Sequence, residues 1–100
     1  MISYIFYNYI MNYRKIKKFE KIFKGVGNHW RVRILLIIND KDKINLEEIV
    51  KNVKGNYQTI SEHVRTLEKN GLIYKKYKGK HIQHSISPYG NKIIKFIKSF

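Results

Sequence analysis

Asparagine punctuates this chain at helix starts, and that punctuation limits the fold more than any other feature. Asn45, followed three residues on by Glu48, forms a capping box. A helix therefore starts at Leu46 and runs to about Val53. Gly55-Asn56 is a turn, and Asn56 can cap another helix from Tyr57 to Lys69, which Asn70-Gly71 ends. Leu46, Ile49, Val50 and Val53 fall on one side of the first helix, and Ile60, Val64 and Leu67 on one side of the second. Upstream, Asn28 caps a helix whose buried side is Val32, Leu35 and Leu36, with Ile38 close to it. Asn39 to Asp42 is a polar loop. Two short helices joined by a tight glycine turn make a helix-turn-helix.

The hydrophobic period then changes. Leu72 to Tyr77 is β-prone, Lys78-Gly79-Lys80 is a turn, and His81 to Ile86 alternates with Ile82 and Ile86 on one face. This predicts a basic β-hairpin placed directly after the second helix, as a wing. Ser87-Pro88 opens a last helix, about 88–99, that carries Ile93, Ile94, Ile97 and Phe100. At the other end, Ile2, Ile5, Tyr9, Asn12, Ile16, Phe19, Phe23 and Val26 recur at three and four residues. They form one seam of a helix over about 3–24, with Asn12 its polar member and the place where it could break. Gly25 and Gly27 end it. The expectation is a single mainly α domain over 1–100, a winged helix-turn-helix of five helices with a small β-hairpin.

Charge points to the partner. The net charge is +14, and such a surface attracts polyanions. It is +5 over 1–27, +2 over 28–55, zero over 56–70 and +7 over 71–100. A base composition rich in A and T inflates Lys, Ile, Asn and Tyr together, and the chain has no Ala, but that bias does not explain the distribution. A neutral element between basic ones suits a base reader flanked by phosphate holders. The absence of Cys excludes thiolate metal sites, disulfides and a Cys nucleophile. The apolar start lacks a basic leader and a small-residue cleavage site. It is also shorter than the roughly 20 apolar residues that span a bilayer.

Three pieces in register carry a family resemblance. They are Gly27-Asn28-His29-Trp30-Arg31-Val32-Arg33-Ile34-Leu35, the run from Thr59 to Ile73, and the wing through Gly79. Over residues 27–86 the chain resembles the ArsR type of winged-helix transcriptional repressors, with the MarR type a close cousin. Ser87-Pro88-Tyr89-Gly90 leans toward that cousin. The resemblance implies a cytoplasmic DNA-binding homodimer that pairs its first and last helices across a two-fold axis. Residues 46–50 lack the Cys of metal sensors, and the last helix lacks metal-binding His, Asp and Glu pairs. No metal, cofactor or small-molecule substrate is therefore expected.

The candidate residues follow. Tyr57, Gln58, Ser61, Glu62 and Arg65 face away from Ile60, Val64 and Leu67. Gln58 can pair with adenine, Ser61 can donate or accept, Glu62 can accept from cytosine, and Arg65 suits a phosphate. An exposed helix face with no partner is the plainer alternative. Lys75, Lys76, Lys78 and Lys80 bracket the wing tip and suit phosphates, although lysine also guards exposed strand edges. Ile5, Tyr9, Ile16, Ile93, Ile97 and Phe100 are candidates for a dimer interface. His81 and His84 fall on opposite faces of a strand, which argues against a shared metal ion. His63 reads as a surface hydrogen-bonder and Trp30 as packing.

The leading expectation is a sequence-specific regulator of double-stranded DNA, acting as a repressor. The alternatives are a low-specificity architectural nucleic-acid binder and a membrane-surface or protein-interaction module using the aromatic N-terminus. An enzyme is not expected: no phosphate loop, nucleophile–base pair or carboxylate pair occurs.

Overall fold

A computed structural model describes residues 12–100. Its elements run α1 (Tyr13–Val26), α2 (His29–Asp40), α3 (Leu46–Val53), α4 (Tyr57–Lys69), β1 (Ile73–Lys78), β2 (His81–Ile86) and α5 (Pro88–Lys98). Five helices and one antiparallel hairpin thus stand among the described residues, in the expected order.

The helix starts are where the asparagines put them. The side-chain oxygens of Asn28, Asn45 and Asn56 accept from the backbone N–H of Trp30, Glu48 and Thr59, at 2.8, 2.9 and 3.2 Å. Ser87 does the same for α5. Each such cap stabilises a helix by roughly 1 kcal/mol. Asn12 is also a cap, accepting from Lys15 N–H, so α1 begins at Tyr13. A helix running unbroken through Asn12 is therefore corrected, because the Asn12 backbone is not helical.

Gly25 is a second correction. It does not end α1 but lies buried inside it, and the helix runs on to Val26. A Cβ at Gly25 would stand 2.7 Å from Leu72 Cδ1, so a side chain there would force Leu72 to shift where α1 approaches the exit of α4.

The core gathers around α2, which packs on α1, α3, α4, α5 and β2. Its fully buried residues are Ile34, Leu35 and Ile38, while Val32 and Leu36 are half-buried. Ile34 was not part of the expected face. The run Ile34 to Ile38 is apolar all round, as a central helix must be, so no single stripe could be read from it. Ile49 and Val53 of α3, and Ile60, Val64 and Leu67 of α4, close the core from the other side.

The hairpin pairs Ile73 with Ile86 through Lys78 with His81, leaving Gly79-Lys80 as the loop. Gly79 has φ +62° and Lys80 an ordinary φ, the pattern of a type II′ connection. One rung was invisible to periodicity. Ile44 bridges His84, with Lys43 N–H donating to the His84 carbonyl and His84 N–H to the Ile44 carbonyl. The base of the wing is thereby tied to the residues that open α3.

Candidate nucleic-acid interface

The α4 helix turns Ile60, Val64 and Leu67 inward, so its far side is dictated. Gln58, Glu62, Arg65 and Lys69 are exposed at helical spacing and form one stripe. Lys69 was not among the expected residues, though it lies one turn beyond Arg65. Tyr57 is exposed at the first turn, and Ser61 is half-buried at the flank of the stripe. The first turn of α4 holds no acidic residue, so the positive end of its dipole meets no carboxylate there.

Strand alternation divides the wing lysines. Lys76 and Lys78 share the outer face with Tyr74, opposite Gln83, His81 and Ser85, and both are exposed. Lys80 is exposed at the tip. Lys75 lies on the other face, half-buried opposite His84, with its Nζ 3.4 Å from Glu68 Oε1 on α4. Lys75 thus braces the wing against α4, while Lys76, Lys78 and Lys80 project into solvent.

These pieces converge. A cleft of about 120 Å³ is lined by Asn45, Leu46 and Glu47 at the start of α3, Tyr57 at the start of α4, and Lys80, His81 and Ile82 of the wing. A neighbouring cleft of about 450 Å³ lies among Lys43, Asn45, Glu48, Lys78, His81 and Gln83. Two helix starts and the wing tip therefore open on one face, ringed by Lys43, Lys78, Lys80 and His81. Sequence reasoning missed Lys43 and His81. Lys43 acquires its place from the Ile44–His84 bridge, and His81 from its register with Lys78.

His84 and Arg33 are tied into the fold. His84 is buried and its Nδ1 lies 2.8 Å from the Ile44 carbonyl, so Nδ1 bears the proton. Burial pushes its pKa below the usual imidazole value, against the pull of that carbonyl. His81, exposed, is on the opposite strand face, as expected. Arg33 donates to the Val53 carbonyl at the end of α3 and stacks 4.8 Å from the Trp30 ring centroid. Among the described residues no group of His, Asp or Glu has the geometry to hold a metal ion.

Of the dimer candidates, Ile5 and Tyr9 lie outside the described residues. Ile16 and Phe100 are exposed, and Ile93 and Ile97 are half-buried. Phe19, Ile22 and Phe23 of α1 face Ile93 and Phe96 of α5 across an apolar groove of about 450 Å³ with lysines at its rim. No helix of the described residues is long and apolar enough to cross a membrane.

Helix, turn, helix and wing, with the caps and register above, define a winged helix-turn-helix of the transcription-regulator type. The MarR family model matches residues 28–78, and the chain belongs to that family. Its members are DNA-binding transcriptional regulators, and so is this class of protein. Solved structures agree on the fold. HlyU from Vibrio cholerae N16961 is 17% identical, with 85% of this chain and 92% of that one covered and a TM-score of 0.77. The transcriptional repressor PagR of Bacillus anthracis is 21% identical, covering 86% and 99%, with a TM-score of 0.78. The homodimeric winged helix-turn-helix domain of Mb0332 from Mycobacterium bovis, a possible ArsR-family regulator, is 17% identical, covering 86% and 80%, with a TM-score of 0.77. The family shown is thus MarR, the type expected as the close cousin, and the ArsR-like structures agree with the chain in fold. No curated protein matches the chain by sequence.

Proposed function

We propose that this protein is a sequence-specific regulator of double-stranded DNA that acts in the cytoplasm as a homodimer and represses by occupying its operator. The observation that carries the reading is the shared face on which the start of α4 and the wing tip open. A helix such as α4 fits a major groove roughly 12 Å wide, and the wing then lies over the neighbouring backbone. Gln58, Ser61 and Glu62 read base edges, with Tyr57 beside them. Arg65, Lys76, Lys78 and Lys80 hold phosphates, and Lys75 keeps the wing at its angle to α4.

PagR is described as a repressor and the Mb0332 domain as a homodimer, and the same roles are proposed here. The apolar groove between α1 and α5, with Ile16, Ile97 and Phe100 near it in sequence, is the surface for the second copy. Two readers related by a two-fold axis would meet half-sites about 34 Å apart.

In vitro selection of random duplexes with purified protein tests the reading. The expected result is an enriched motif with two-fold symmetry. Gln58→Ala should then cost about 1–3 kcal/mol of discrimination at one base position, with little change in salt dependence. The net charge of +14 favours one rival, a low-specificity nucleic-acid binder. A ratio near one between selected and scrambled duplexes would establish that rival instead.

A further inference from the structure

Arg31 stands on α2 and reaches two other helices. Its Nε donates to the Gly25 carbonyl at 2.7 Å and one terminal nitrogen donates to the Lys24 carbonyl at 3.1 Å, so it closes the end of α1. Its other terminal nitrogen lies 3.1 Å from Nδ1 of His63, half-buried on α4. A guanidinium can only donate, so this Nδ1 must accept. The imidazole is then neutral, with its proton on Nε2. A second proton would land on the accepting nitrogen, delete the bond and set two cations against each other.

The surroundings act in the same direction. Burial, then the Arg31 charge, pushes the pKa of His63 below the ordinary imidazole value. Glu62 on the same helix opposes this and His29 of α2 adds to it. The joint is also tight. Gly25, whose carbonyl Arg31 holds, is the residue at which α1 meets Leu72 at the exit of α4. A change at Arg31 therefore acts on both the face and the exit of α4.

We propose that the Arg31–His63 bond is a positioning latch for α4, closed while the imidazole is neutral and opened by a proton, so that operator discrimination falls on acidification. Neither residue needs to touch DNA for this. The proposal rests on the reading of α4 as the base-reading element, and its test separates the two.

Long-range proton–nitrogen correlation spectra of ¹⁵N-labelled protein read the latch directly. They should show His63 with Nδ1 unprotonated at neutral pH and a titration midpoint below 6.5, with the Arg31 Nε–H resonance moving alongside. A proton on Nδ1, or an ordinary midpoint, overturns the latch whatever the DNA does. Binding is then measured at pH 7.5 and at a pH one unit below the His63 midpoint read from the spectra, to a duplex enriched by selection and to its scrambled version. The ratio of affinities is the readout, because any effect of pH on the general attraction to phosphate cancels in it. In the wild type the ratio should fall at least about fivefold at the lower pH. His63→Asn places an acceptor oxygen where Nδ1 stood and does not titrate, so its ratio should hold at both values. His63→Lys should show the low ratio at both. An unchanged wild-type ratio, or an equal fall in His63→Asn, overturns the proposal. The expected spectra with no preferred duplex at either pH would sink the operator reading and leave the latch supported.

Discussion

The cations of α2 and those of the wing carry the same charge and do different work. Arg31 and Arg33 spend their donors on the carbonyls that end α1 and α3, and on His63. Lys76, Lys78 and Lys80 stand exposed on the outer face and tip of the hairpin. Side-chain shape accounts for the division. A guanidinium offers five donors in a planar fork and can serve several carbonyls at once, whereas an ammonium is a mobile, strongly hydrated point charge. Arg31 therefore adds its charge, but not its donors, to what a polyanion meets. Lys75, paired with Glu68, falls between the two groups.

The comparison can be broken by substitution. Arg31→Ala should cost about 2–3 kcal/mol of folding stability in urea denaturation, because two carbonyls and His63 lose their donor together. If instead it left stability alone and weakened DNA binding, the two sets of cations would not differ in kind. Lys78→Ala should do the reverse. Stability should hold within about 0.5 kcal/mol, while affinity falls for every sequence and the salt slope flattens by about one.

Acidification sharpens the contrast. His63 and His84 are both held below the ordinary imidazole pKa by burial. Below pH 6.5 the unfolded chain binds more protons than the folded one. Stability should therefore be intact above that pH and decline as pH falls through it. His84→Gln should reduce that decline in a series of melts, and a profile flat from pH 7.5 to 5 would contradict it.

The smallest effects concern lysines outside the proposed phosphate contacts. Lys54 ends α3 with φ +55°, a left-handed conformation that costs a side chain about 1 kcal/mol. Lys54→Gly should thus raise stability by up to about 1 kcal/mol with the salt slope lowered by less than one phosphate contact. Lys75→Ala should cost under about 1 kcal/mol, since its partner Glu68 is substantially solvated.

Much of the fold was legible because local rules punctuate this chain. Asparagine caps at 28, 45 and 56, the Asn70-Gly71 exit and the change of period after Leu72 each need only neighbouring residues. The boundaries that went astray were set from outside. Gly25 reads as a helix terminator and is instead a contact with Leu72, nearly fifty residues away. Among the candidate residues, the outward position of Gln58, Glu62 and Arg65 followed from helical period alone. The separation of Lys75 from Lys76 and Lys78 required the strand register and the place of Glu68.

The sequence by itself determined where α2, α3, α4 and α5 start, which sides of α3 and α4 turn inward and that the hairpin is basic, since these depend on capping, period and composition. Only the tertiary structure decided which cations are occupied. It took three-dimensional packing to bring Arg31 to His63, Arg33 to Val53 and Ile44 to His84, because each pair joins residues 20 to 40 positions apart whose local patterns carry no trace of one another.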